Sequence, residues 1–341
     1  MEAVMELIPV RQADRIIQPH RKVEDVQVED FSVVSGHSKQ FIEANTKETT
    51  LHHLKKDCII PVFSKDNELT ISHNSFIETV FEAASKIFPR ERINPPEIRV
   101  SHVIKGRTPE AAHKSVNELL DTDKTIYYER MAFVMEIPTV SEDINGNPLK
   151  LSIGGVRSYN LENLYSKKSF EKFKVFIGFK NLVCCNLCIS TDGYKEEIRA
   201  MSQFELLKQI ITLFGLYNAS KHLQMMNSFR QHQLTEHQFA QMVGKARLYH
   251  YLPSKEKKNL PPLEFTDSHL SIIARNFYRD EAFSRDSNRA ISLWNVFNLF
   301  TSANKSSYID TFLSRGVNAT DFILGLSEAL NGSNGYSWFI E

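Results

Sequence analysis

Apolar residues recur with a period of two through the middle of this chain and with a helical period through its last third. The densest β signal spans residues 127–190. Residues 127–140 are strongly β-prone, Asn145-Gly146 is a two-residue hairpin turn, and residues 149–159 return. Gly154-Gly155 within that return predicts a bulge or a close approach of another backbone. Residues 173–179 and 182–190 read as a second hairpin turning at Lys180-Asn181. Upstream, residues 58–63 and 69–72 are short strands around a polar turn. Phe76, Val80, Phe81, Ala84 and Ile87 mark one face of a helix capped by Asn74 or Ser75. Residues 98–104 form a strand, and Thr108-Pro109-Glu110 opens a helix running to about residue 120.

Helical periodicity takes over at 204–223, weakened by Gly215, and at 235–252, stopped by Pro253. Residues 255–262 are a charged loop with two prolines. Further helices follow at 267–278, 291–301 and 320–330. The predicted fold class is α+β, a mainly antiparallel sheet packed against helices. Residues 1–50 hold no sustained apolar period and read as a partly extended arm. Residues 51–200 form the sheet core, and 201–341 a helical C-terminal region packed on it.

Composition narrows the function classes. The 341 residues are 42% hydrophobic and 24% charged, the balance of a globular protein. Lys plus Arg equals Asp plus Glu at 41 each, so no global basic field draws in nucleic acid. No apolar run approaches a membrane span, and Glu2 and Glu6 oppose a signal peptide; the expectation is a cytoplasmic protein with no membrane partner. Four cysteines, three of them within Cys184-Cys185-x-x-Cys188, read as reduced, buried thiols. Cys185 and Cys188 have metal-like spacing without a second ligand pair, and their flanks are β-prone where a redox pair needs a helix N-terminus. No H-E-x-x-H, phosphate-loop, dinucleotide or nucleophile-elbow motif occurs. No residue is assigned a catalytic role, and no metal or cofactor is expected.

Two features point toward nucleic acid. Ala240 and Gly244 are spaced as in a helix-turn-helix, but His250 and Pro253 stand where a recognition helix needs apolar residues, so one continuing helix is expected. Lys167, Lys168, Lys172, Lys174 and Lys180 interleave with Phe170, Phe173, Phe176 and Phe179; Lys245 and Arg247 precede a second basic run with Tyr249 and Tyr251. Lysines that neutralise phosphates beside rings that stack on bases suit single-stranded DNA. The plain alternative sends the strand phenylalanines to the core and the lysines to water.

Four blocks carry a resemblance: Ile98-Arg-Val-Ser-His-Val-Ile-Lys-Gly-Arg107, Tyr127-Tyr-Glu-Arg-Met-Ala-Phe133, Gly154-Gly-Val-Arg-Ser-Tyr-Asn-Leu-Glu-Asn-Leu-Tyr165 and Ala303-Asn-Lys-Ser-Ser-Tyr-Ile-Asp310. Together they resemble an uncharacterised family carried on mobile elements of anaerobic gut bacteria. Val183-Cys-Cys-Asn-Leu187 and Leu293-Trp-Asn-Val-Phe-Asn-Leu-Phe-Thr301 are distantly similar to blocks of phage- and plasmid-like proteins. Neither family brings an activity or site residues. The resemblance implies a non-enzymatic accessory protein of a mobile element, with single-stranded DNA as candidate partner. The alternatives are a module that binds or inhibits a host or element-encoded protein, and an enzyme of unrecognised type.

Overall fold

The computed structural model describes residues 40–58, 70–111, 113–159, 170–332 and 335–341. They form an α+β fold. Its strands are β1 (Lys47–Thr49), β2 (Glu97–Val100), β3 (Val103–Arg107), β4 (Lys124–Tyr128), β5 (Arg130–Ile144), β6 (Asn147–Ser158), β7 (Glu171–Asn181), β8 (Leu187–Cys188), β9 (Tyr194–Ala200), β10 (Gln233–Thr235) and β11 (Ala290–Ser292). Its helices are α1 (Leu51–Lys56), α2 (His73–Ile87), α3 (Gln203–Leu216), α4 (Ala219–Ser228), α5 (Glu236–Tyr249), α6 (Ser254–Lys257), α7 (Asp267–Arg279), α8 (Leu293–Asn304) and α9 (Ile309–Asn331).

The main sheet runs β1-β2-β5-β6-β7, and both β8 and β9 pair with β7; every pairing is antiparallel. β3 and β4 form a separate ribbon, as do β10 and β11. Asn145 and Gly146 both take the left-handed conformation, φ 58° and 74°, which matches the twist of a two-residue hairpin. The register of β5 on β6 shifts between Ile137 and Ser141, not at the glycine pair. Gly154-Gly155 instead serves close approach: a Cβ on Gly155 would lie 2.6 Å from the Phe76 ring, so α2 can press onto the sheet.

Helices cover both faces of the sheet. On one, Met131, Phe133, Ile153, Phe173 and Ile177 meet Phe76, Val80 and Ala84 of α2 and Leu206 and Ile210 of α3. On the other, Ala132, Val134, Val156 and Phe176 meet Ile309, Phe312 and Leu313 of α9. Phe41 and Ile42, from the end of the predicted arm, are buried in that second layer. Residues 1–39 lie outside the described residues.

Several expected elements take other forms. Ser72, not Asn74 or Ser75, caps α2, accepting from the Ser75 N–H at 3.1 Å. Residues 98–104 split between two sheets. The helix expected from Thr108 is three 3-10 turns, Pro109–Ala111, Val116–Glu118 and Asp121–Asp123. Ala111 is buried, but Val116 and Leu120 are 39% and 63% exposed, so no continuous apolar face is covered. β7 runs straight through Lys180-Asn181, the chain turns over residues 182–186 with Cys185 at φ 58°, and the return strand is two residues long. The helix expected at 204–223 breaks into α3 and α4 at Tyr217-Asn218. Of the strand expected at 58–63 only Cys58 is described, in an isolated parallel bridge to Ile126; of that expected at 69–72, residues 70–72 are described and form no strand, Ser72 serving instead as the cap of α2.

The turn after β7 is held by side chains. Asn181 Nδ2 donates to Asn298 Oδ1 at 3.0 Å. Asn186 Nδ2 donates to the Asn298 carbonyl at 3.1 Å and to Thr301 Oγ1 at 3.0 Å. Lys305 Nζ donates to the Cys184 carbonyl, and the Lys305 carbonyl accepts from the Glu43 and Ala44 N–H groups. Asn181, Asn186 and Asn298 are fully buried. Buried amides that lose a partner each cost about 1–3 kcal/mol. Asn298→Leu takes the acceptor from Asn181 Nδ2 and is therefore expected to lower stability by about 1–3 kcal/mol, read as a shifted urea midpoint at unchanged m-value.

Candidate functional site

The short helix α1 carries His53 in its middle and is closed by Asp57, four residues on and therefore on the same face. Thr50 caps it, accepting from the His53 N–H at 3.1 Å. His53 Nδ1 lies 2.8 Å from Asp57 Oδ2, and His53 Nε2 lies 3.2 Å from the Tyr128 hydroxyl on β4. A carboxylate at Nδ1 selects the tautomer with its proton there, which leaves Nε2 to accept from the phenol. Burial raises the pKa of Tyr128, and Cys58 and Asp57 add to it; a hydrogen bond with Thr49 works the other way. Burial, aided by Asp57, pushes the Cys58 thiol up to about 11, which keeps it protonated.

A second branch leaves Tyr128 inward. Its carbonyl accepts from His73 Nε2 at 2.8 Å. The His73 ring stacks on Tyr159 at 4.4 Å between centroids. The Arg157 guanidinium sits 4.5 Å from the ring centres of both Tyr159 and Phe173, a planar cation between two π faces. Arg157 also donates to Glu171, whose carboxylate accepts from the Ile71 N–H at 3.1 Å. Arg157 and Glu171 are 0% and 2% exposed, so their charges are paired out of water. Burial, then Arg157, holds His73 down at about 3, so the ring stays neutral. Its Nδ1 has no hydrogen-bond partner among the described residues.

Five of the seven basic residues read from the sequence are described, and each of the five has a partner. Lys167 and Lys168 lie outside the described residues. Lys172 pairs with Glu197 at 2.7 Å, and Lys174 Nζ donates to the Asp310 carbonyl at 2.9 Å. Lys180 is 6% exposed and bridges Glu97 at 2.9 Å and Glu136 at 3.0 Å. Burial works against its charge, but the two carboxylates win and hold its pKa above the ordinary lysine value. Lys180 is thus an internal ion-pair residue and not a surface cation. Phe173, Phe176 and Phe179 are buried, and Phe170 is half-exposed. Lys245 lies over the Trp338 ring at 4.9 Å, and Arg247 forks onto Asp267. Both stand on α5, which continues unbroken through Gly244. Cys184 and Cys188 are buried, Cys58 and Cys185 partly so. Among the described residues no group of three His, Cys, Asp or Glu side chains is placed to hold a metal ion.

A polar cleft of about 410 Å³ opens at the far end of the sheet from Tyr128. Asn145 of the hairpin tip, Asn227, Arg230, Gln231, Gln233 and Ser292 line it. These residues come from three separated stretches of chain, so no local motif announces them. The same holds for the Tyr128 cluster, whose members span residues 53–171.

The fold and these sites define an α+β protein whose antiparallel sheet is clad on both faces by helices, with a buried charge cluster at one end and a polar cleft at the other. A family model described as "Domain of unknown function, B. Theta Gene description (DUF3871)" matches residues 23–340, and the chain belongs to that family. No curated protein matches the chain, and no solved structure does. No helix among the described residues is long and apolar enough to cross a membrane.

Two expectations follow from the buried groups. Glu171→Gln removes the carboxylate that faces the buried Arg157 guanidinium and should cost about 3–5 kcal/mol, whereas Arg157→Met combined with Glu171→Leu should cost less than either single change. Chemical denaturation of the three variants measures this. His73 at about 3, His222 at about 4 and His269 at about 4 are all depressed chiefly by burial. The unfolded chain, with histidine near 6.5, binds more protons than the folded one below that pH. Their contribution is thus fully present above about pH 7 and is lost as pH falls from 6.5 toward 4, at up to about 1.4 kcal/mol per pH unit for each ring. Thermal melts from pH 7 to 4 should show the fall, and His73→Gln should flatten it.

Proposed function

We propose that this protein is a protein-interaction module that holds an extended peptide segment of a host or mobile-element partner in the amide-lined cleft. The lining of that cleft carries the reading. Asn145, Asn227, Gln231 and Gln233 each offer a donor and an acceptor, the complement of a peptide backbone, and Arg230 adds one cation for a carboxylate. Such a surface suits a neutral polar strand with an acidic group better than a polyanion.

The engagement of the candidate cations supports this over single-stranded DNA. Phosphate binding depends on lysines and arginines that can neutralise the backbone. The five described candidates, Lys172, Lys174, Lys180, Lys245 and Arg247, already have carboxylate, carbonyl or ring partners. Phosphates would have to displace those contacts, and the chain has zero net charge.

The test runs two assays on the full chain. Affinity capture from nuclease-treated host lysate should recover one partner in stoichiometric amount. Arg230→Glu should weaken that complex at least about tenfold, equivalent to about 1.4 kcal/mol. In parallel, fluorescence anisotropy with short single-stranded DNA should show little binding at low salt. Tight, salt-sensitive DNA binding that is lost on charge reversal at Lys167, Lys168 and Lys172 would replace this reading with the nucleic-acid one.

A further inference from the structure

Asp57, His53 and Tyr128 form a linear hydrogen-bonded chain of carboxylate, imidazole and phenol, with links of 2.8 and 3.2 Å. This is the arrangement that activates a hydroxyl nucleophile: an acid orients a base, and the base faces the hydroxyl. A purely structural link between α1 and β4 needs only one hydrogen bond, whereas this chain fixes the imidazole tautomer as well. The His53 and Asp57 side chains are 31% and 49% exposed, so a substrate can reach the relay from solvent. α1 also presents His52 and Lys56 at i and i+4, on a stripe adjacent to that of His53 and Asp57. Lys55, on the same helix, pairs with Glu78.

We infer that Tyr128 is a base-activated nucleophile toward phosphoesters, with His53 as its general base and Asp57 as the positioning residue. In the step, Tyr128 Oη attacks phosphorus and forms an O–P bond. The P–O bond to the leaving alcohol breaks. The phenolic proton passes to His53 Nε2 and from there to the leaving oxygen. The products are a phosphotyrosyl ester and a free alcohol, with no redox change and no co-reactant. Lys56 places a positive charge on α1 that draws an anionic ester to this end of the molecule. The relay lies at the opposite end of the sheet from the peptide cleft, so the two proposals stand or fall separately.

The test uses bis(4-nitrophenyl) phosphate and an arylsulfonyl fluoride on the full chain, with intact-mass and peptide-mass readout. Tyr251, 83% exposed, is the reference phenol within the same molecule. The expected result is one equivalent of 4-nitrophenol released in a burst, a matching adduct on Tyr128, and sulfonylation of Tyr128 at least about tenfold faster than of Tyr251. His53→Gln and Asp57→Asn should each remove that advantage while the melting temperature and Tyr251 labelling stay unchanged. Tyr128→Phe should abolish the burst and keep the ring packing. Labelling of Tyr128 no faster than of Tyr251, or labelling that survives His53→Gln, would overturn the proposal and leave the chain of bonds as a tether for α1.

Discussion

The fold depends on three buried asparagines. Asn181 ends the central strand, Asn186 closes the turn after it, and Asn298 sits in the middle of the most buried helix. Their mutual hydrogen bonds join the sheet to the C-terminal helices where a purely apolar contact would allow sliding. α8 is buried around nearly its whole circumference, Asn298, Thr301 and Asn304 included, so burial alone gives it no preferred rotation. Amides in a dry interior do impose one, because each must meet its partners or forfeit its solvation. Lys305 extends the same joint to the chain before β1 through its backbone carbonyl.

The opposite problem, placing charge inside the sheet, is handled at the Tyr128 end. Arg157 gives up water for contacts that include the Tyr159 and Phe173 rings and the Glu171 carboxylate. Beside that cation His73 stays neutral, which ties the stability of the cluster to pH. Tyr128 stands at the border of this dry interior: its carbonyl faces inward to His73, and its hydroxyl outward to His53. One residue thus links a buried, preorganised cluster to a solvent-accessible relay.

Parts of this were legible in the sequence. The Asn145-Gly146 turn and the strands beside it came from local backbone preference and alternation, which act over a few residues. The Gly154-Gly155 pair announced a bulge or the approach of another backbone; the group that enters from α2 is the Phe76 side chain. α5 was readable as one helix because the apolar positions beyond Gly244 failed the helix-turn-helix pattern. The turn after β7 was misplaced because Asn181 is a turn former by propensity, yet its side chain is consumed by Asn298. β9 escaped notice because Lys195, Glu196, Glu197 and Arg199 leave almost no alternation to read. The lysines of β7 looked like a cationic face because their partners, Glu197, Asp310, Glu97 and Glu136, are distant in the chain. Several blocks that carried the resemblance meet in space: Arg130 and Ser158 both bond to Asp310, and Asn186 bonds to Asn298 and Thr301.

By itself, the sequence determined the α+β class, the central hairpin and the helical last third, since periodicity and turn chemistry are short-range properties. Only the tertiary structure decided which charges are spent internally, which histidines are neutral, and that His53, Asp57 and Tyr128 stand in line. Those outcomes depend on burial and on partners far apart in the chain. Solvation and pairing energies belong to the folded arrangement, and no local pattern of residues encodes them.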